Sequence, residues 1–362
     1  MRTAILSAAL AAVASVNALP APQEAPSTKV SKPLPLSVFV NTEFAAPVPL
    51  EQAKQIFKEH IPIEPAEPAQ APPEANFALT SLATAATCTN PRVRVEWDSY
   101  PDSSKQAFVD SIKCLMSRAP SGQFSHSRSR YEDIVALHQT LTPNVHGNAK
   151  FLVWHRYLTW AFEDILRTEC GFNHAMPWFD ETKYAGRFSQ SSIFSSRWFG
   201  GIALGGNCVR DGAFANLAIN IGPGSGNQQH CLARNGDGAK TAYVNSDYVN
   251  QCNAYGDYAG MASCSELGPH AWGHNGVGAV MSDMYASPGD PVFWLHHAFI
   301  DRNFRIWQNK DPNRVHSING NDVSGRPLTL DTNVNIYGLR PDVRIRDILD
   351  TTGPTLCYKY NY

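Results

Sequence analysis

The chain has 362 residues, 43% of them hydrophobic and 17% charged, which suits one large globular domain or two ordinary ones. Its formal net charge is -2 and it carries no basic run, so there is no electrostatic case for nucleic acid or for an acidic membrane surface.

The N-terminus reads as a separate piece. Arg2 precedes an apolar run from Ala4 to Val16, and Asn17-Ala18-Leu19-Pro20 follows with a small residue and breakers. Residues 1–18 are read as a secretory signal peptide cleaved near Ala18, too short to span a bilayer. The mature protein is therefore expected to be secreted and free of the membrane. Residues 19–86 are rich in Pro and Ala, with one short helical stretch near Leu50 to His60, and read as a propeptide or N-terminal arm. All eight cysteines lie after the leader, none in a Cys-x-x-Cys pair, and an even count in an oxidising compartment points to disulfides whose pairing stays open. There is no Asn-x-Ser/Thr sequon.

A compact domain is expected over 87–362. Ser103 to Arg118 places Phe108, Ile112 and Leu115 at helical spacing. Ser129-x-x-Glu132 reads as a capping box opening a second helix, with Ile134, His138 and Leu141 along one stripe. Asn148 to Glu169 reads as a long helix. Residues 182–265 are rich in Gly, Ser and Asn and read as long loops tied by disulfides. Pro269 suits the first turn of a helix running to about Val280, and Asp290-Pro291 an N-cap and first turn for a helix to about Gln308. Short β-like runs such as Val334 to Leu339 close the chain. The expected architecture is mainly α, with irregular coverings and no short-period repeat.

Seven of the twelve histidines fall into two clusters: His138, His146 and His155, then His270, His274, His296 and His297. His270 and His274, at i and i+4, share one helix face. His138 and His155 sit on separate helices, and His146 lies in Asn144-Val145-His146-Gly147, a loop that can aim a side chain independently. Four helices thus offer histidines to a common centre, as metal sites in helical bundles do. His270 is followed by Ala271-Trp272-Gly273 and not by the glutamate of a zinc hydrolase, and there are no Glu-x-x-His pairs for di-iron. No His-x-Asp or His-x-Glu supplies the carboxylate of a facial triad. An all-imidazole set of three plus three favours copper.

These motifs resemble the type 3 copper proteins: tyrosinases, catechol oxidases and, more distantly, molluscan haemocyanins. The resemblance covers roughly Cys88 to Tyr360 and has the character of a short secreted fungal form. Its most specific part is His270-Ala-Trp-Gly-His274 followed by Asp290-Pro-Val-Phe-Trp-Leu-His-His297-Ala-Phe-Ile-Asp301-Arg302. The first motif reads His146-Gly-Asn-Ala-Lys-Phe-Leu-Val-Trp-His155-Arg156-Tyr157-Leu158. The resemblance implies a four-helix bundle holding two copper ions, one on His138, His146 and His155 and the other on His270, His274 and His297. Molecular oxygen is the implied co-substrate and a small phenol the substrate. The implied products are o-quinones from o-diphenols, with o-hydroxylation of monophenols or oxidation of o-aminophenols as further reactions. Pigment and phenolic secondary metabolites are the two kinds of pathway in view, and the oligomeric state stays open.

Spacing and family pattern both favour His297 over His296 as ligand. Asp301 stands at i+4 from His297, placed to orient its ring, and His296 is left behind the ligands. Asn144 stands where some family members carry a cysteine cross-linked to the second histidine, so no thioether is expected. Glu266 matches a family glutamate that holds a water near the coppers, and Asn275, next to His274, is expected to share it. Such a pair would take the phenolic proton; the alternative is that Glu266 caps the helix opening at Pro269. Phe293, four before His297, either stacks on the substrate ring or fills core. Arg94 resembles a family arginine that packs on a closing Tyr-x-Tyr, here Tyr358-Lys-Tyr360, a role in stability. No lid is expected after Tyr360, which leaves the N-terminal arm as the candidate for latency. Oxygen transport, as in haemocyanins, is the rival function. It is disfavoured by a single small domain without repeat, and a dinuclear zinc hydrolase by the lack of bridging carboxylates.

Overall fold

The structure, a computed structural model, describes residues 88–362, so the expected leader, arm and Leu50–His60 helix lie outside the described residues. Three long helices open the fold: α1 (Asp102–Ser117), α2 (Arg130–Val145) and α3 (Phe151–Cys170). α1 buries Phe108, Ile112 and Leu115 against α2 and α3, as their spacing predicts, and Cys114–Cys170 joins it to the end of α3. α3 is buried over most of its circumference from Phe151 to Leu166, which makes it the central helix. Gly171, at φ 67°, ends it in the left-handed conformation.

α2 starts at Ser129, whose hydroxyl accepts from the Glu132 N–H at 3.2 Å. The return half of the capping box is displaced by one residue. Glu132 accepts from the N–H of Arg128 and also holds Asn220, because that second partner draws the carboxylate away from its own N-cap.

Residues 182–265 are more regular than their composition suggests. They contain α4 (Gly238–Thr241), α5 (Ser246–Cys252) and α6 (Tyr258–Ser265). Asp237, Asn245 and Asp257 cap these three helices, and elements of one or two turns are too short to show a hydrophobic period. Cys208–Cys231 and Cys252–Cys264 do tie the region together. Arg234 reaches from it to Asp290 with two contacts of 2.7 and 2.9 Å, both side chains being fully buried. Pro269 also differs from expectation. It sits inside a π-helical turn, Glu266–His270, that joins α6 to α7 (Ala271–Val277). Gly268 makes the turn possible: a Cβ there would lie 2.7 Å from the Tyr248 ring.

α8 (Val292–Asn309) packs along α3 and completes the bundle. Asp290 accepts from the Val292 N–H at 3.0 Å, the capping role its place before Pro291 predicts. A short α9 (Ile345–Ile348) and six short strands complete the regular structure of the described residues. Within the stretch 334–339 only Val334 is extended, in a two-residue strand paired with Val343–Arg344. Strand β1 (Arg92–Arg94) runs parallel to β6 (Tyr358–Tyr360), and Cys88–Cys357 locks the two ends beside it.

Candidate metal centre

Four helices bring their histidines together. His138 lies in mid α2, and His155 one turn into α3. His146 follows the last turn of α2 with extended backbone, and Gly147 at φ 69° lets the chain turn away at once. His270 ends the π turn, His274 lies on α7, and His296 and His297 lie on α8. All seven are buried. They form two groups whose ligand atoms lie within 4.8 Å of one another: His138, His146 and His155, then His270, His274, His296 and His297. The groups meet at the stacked rings of His155 and His297, with centroids 4.7 Å apart.

The hydrogen bonds set the tautomers. The Nδ1 of His138 faces the Tyr285 carbonyl at 2.8 Å, that of His155 the Phe151 carbonyl at 2.8 Å, and that of His274 the Met281 carbonyl at 2.6 Å. The Nδ1 of His270 faces the Glu266 carbonyl at 3.1 Å. A carbonyl only accepts, so each Nδ1 bears the proton and each Nε2 a lone pair. The Nε2 of His138 then stands 3.5 Å from that of His146 and 3.4 Å from that of His155. In the second group the Nε2 atoms of His274 and His297 stand 3.3 Å apart. The lone pairs of His138 and His155, whose tautomers the carbonyls fix, face each other and repel unless a cation lies between them. These separations are those of two nitrogens about one first-row ion at roughly 2 Å.

Burial keeps the rings neutral. It draws His138 and His146 down to about 3, and His155, His270, His274 and His297 well below the ordinary histidine value. Neutral imidazole is the ligating form, so the donor set fits a metal pair with no carboxylate in the inner shell.

Glu266 does not cap the helix at Pro269. Its Oε1 accepts from the Gly147 N–H at 2.8 Å and lies 3.1 Å from His146 Nδ1, so it steadies the one histidine borne on a loop. Burial pushes its carboxyl up to about 8, against the opposing Gly147 bond. Asn275 is buried, with its amide donating to the Ala271 carbonyl at 2.9 Å, and no hydrogen bond joins it to Glu266. Phe293 stacks on His297 at 4.0 Å, with its edge toward His138 and His274.

Asp301 corrects the sequence expectation. It stands one turn beyond His297 on α8 but does not orient that ring, whose Nδ1 has no hydrogen-bond partner. Its carboxylate is taken by Arg156 at 2.5 Å and by the hydroxyls of Tyr358 and Tyr360. Buried guanidinium and phenol donors outcompete a neutral ring N–H for a carboxylate, whatever the helical spacing. Phe293 and His155 hold His297 by stacking instead. His296 turns its Nδ1 to Glu181 Oε1 at 2.6 Å. Sequence reasoning missed Glu181, which is 115 residues from its partner and has no motif around it. It missed Phe151 too, whose ring lies 4.7 Å from His155 and 4.6 Å from His270; its place four residues before His155 was a usable signal.

Comparison with known proteins agrees with this geometry. Residues 128–310 match the family described as the common central domain of tyrosinase, a span that holds all seven histidines. Tyrosinase ustQ of Aspergillus flavus is 34% identical over 291 residues, covering 75% of this chain and 80% of that protein. N-acetyl-6-hydroxytryptophan oxidase ivoB of Emericella nidulans is 30% identical over 338 residues, covering 75% and 92%. The solved polyphenol oxidase of Thermothelomyces thermophila aligns with a TM-score of 0.67 at 26% identity, covering 75% of this chain and 89% of that one. A helical bundle with two buried imidazole groups, in a chain three quarters of which these relatives match, places the chain in the tyrosinase family as a type 3 copper oxidoreductase.

Proposed function

We propose that the chain is a secreted polyphenol oxidase that converts small o-diphenols to o-quinones with molecular oxygen. Oxidation of monophenols and o-aminophenols is a further activity of the same site. The observation that carries this reading is the pair of buried neutral histidine groups meeting at His155 and His297. His138, His146 and His155 would hold one copper, and His270, His274 and His297 the other. When bound, copper supplies the redox chemistry by which oxygen takes electrons from a phenol.

The rest falls to the chain's own side chains. Carbonyls of Tyr285, Phe151 and Met281 hold ring tautomers in the ligating form. Phe293 and Phe151 exclude water around the rings. Glu266 is the proposed proton acceptor for the phenolic hydroxyl, whose ordinary pKa is about 10. The proton would rest on Oε2, the oxygen that neither Gly147 nor His146 engages. Asn275 would share a water with it through its carbonyl oxygen, since its NH2 group is held by Ala271. A relative named for oxidising N-acetyl-6-hydroxytryptophan supports a phenolic ring on a small secondary metabolite as substrate. Secretion is supported by four disulfides, and no helix among the described residues is long and apolar enough to cross a membrane.

Oxygen uptake by the copper-loaded full chain, with matched monophenol, o-diphenol and o-aminophenol, tests the reading. Uptake with the o-diphenol is expected, and no uptake with any of the three overturns it. In the same assay Glu266→Ala should lower monophenol oxidation by roughly a hundredfold more than diphenol oxidation. Equal losses would remove Glu266 from the proton-transfer role.

A further inference from the structure

A groove of about 930 Å³ lies outside the two histidine groups, and none of the seven histidines lines it. Its volume falls within the range of small-molecule sites. One wall is the end of α2 with the start of α3, and the other is the stretch 322–337. The floor is apolar: Leu141, Val145, Trp154 and Val334 line it, and all four are buried.

The charges on its rim do not balance. The acidic and basic residues of the lining are Lys150, Asp322 and Arg326. Asp322 is taken up by its own turn. Its Oδ1 accepts from the Ser324 and Arg326 N–H groups at 2.8 and 3.0 Å, and its Oδ2 from the Arg326 guanidinium at 3.0 Å. Lys150 is half-buried, and among the described residues no carboxylate lies within ion-pair distance of its ammonium. Burial draws that ammonium below the ordinary lysine value, and Asp322 does not restore it. One positive charge is therefore left over at the edge of an apolar floor. A monocarboxylate balances it, whereas a dianion such as a phosphate monoester would set a surplus negative charge against Asp322.

Trp154 ties the groove to the metal centre. Its indole N–H donates to the Asn335 carbonyl at 3.1 Å, which fixes the ring in the floor. The same ring lies 5.9 Å from His138 and 4.9 Å from His155 between centroids. A flat aromatic group on that floor would rest one side chain away from two histidines of the first group.

We propose that this groove is an accessory site for an aromatic monocarboxylate, with the ring on the Trp154 floor and the carboxylate on Lys150. It is separate from the site where the phenol is oxidised, and its occupant is bound without being turned over.

The test is isothermal titration of the copper-loaded full chain with naphthylacetate, an aromatic acid with no phenolic hydroxyl to oxidise, and with its neutral amide. The acid should bind and the amide should bind at least tenfold more weakly. Lys150→Met keeps the length of the side chain and removes its charge, and should weaken the acid by roughly tenfold or more. Lys150→Arg should restore most of that loss. Val323→Trp crowds the same groove from the partly exposed 322–326 turn, and should weaken the acid without lowering the melting temperature. No binding of the acid, equal binding of the amide, or undiminished binding by either Lys150→Met or Val323→Trp overturns the proposal. The last outcome would place the carboxylate elsewhere, as on the copper pair itself.

Discussion

Asp301 shows how one residue can serve a site without touching it. It neutralises Arg156, the neighbour of His155, and accepts from both tyrosines of the closing motif. Arg94 lies flat on the Tyr358 ring, 3.6 Å from its centroid, and pairs with Glu163 on α3. Burial opposes ionisation of Asp301, but Arg156 and Arg94 outweigh it and hold its carboxyl below the ordinary value of 3.8. Glu163 is likewise held below 4.5, by Arg94 and Arg92. Groups with lowered values in the folded state stabilise it above their unfolded values and lose that contribution as pH falls through the folded ones. Acid unfolding is therefore expected to begin below roughly pH 4. Asp301→Asn should cost about 3–5 kcal/mol at neutral pH, because it leaves the buried Arg156 guanidinium without its carboxylate. It should also flatten the acid limb, both read by urea unfolding across pH. A loss near zero with an unchanged limb would show that the cluster is not what holds α3 to α8.

At the scale of elements, the π turn between α6 and α7 decides where two groups point. Glu266 opens it and His270 closes it, so one irregular turn directs a carboxylate to His146 and an imidazole to the second group. Pro269 removes one N–H from the ladder there, and Gly268 takes φ -108° and ψ -110° with the Tyr248 ring where a Cβ would stand. Gly268→Ala should destabilise the fold by about 1–3 kcal/mol, the range for overpacking a filled interior. Copper bound per chain should fall with it, since His270 and Glu266 move together. Thermal melting and copper counting on the same samples check both; wild-type values for both would mean the turn tolerates a side chain.

Over the whole molecule, the ends of the described chain are clamped onto the helices that carry the site. Strands β1 and β6 pair in parallel, Cys88–Cys357 joins them across a sequence separation of 269, and the Arg94 and tyrosine side chains reach α3 and α8 from there. Replacing both cysteines by serine should cost about 2–5 kcal/mol, the usual range for loss of a native disulfide. The buried ion cluster should keep the native spectrum below the lowered Tm. A variant that melts with the wild type would show that the strand pair and ion cluster suffice alone.

What the sequence determined was the set of donors and the helices that carry them. Helical spacing at 3.6 residues per turn is local, so α1, α2, α3 and α8 and the face shared by His270 and His274 were legible. Residue type was legible as well: two runs of histidine without carboxylate partners define an imidazole site in any fold that brings them together. What only the tertiary structure decided was the partner of each donor. Asp301 at i+4 from His297 was read along its own helix, yet its side chain answers to Arg156 and the closing tyrosines, and the hold of Glu266 on Gly147 and His146 appears only in the fold. Glu181 reaches His296 from a part of the chain with no motif. Hydrogen bonds and ion pairs are won by the strongest donor within about 3 Å, wherever it lies in the chain. The two histidine groups could therefore be named from the sequence, and the carboxylates that aim them only from the fold.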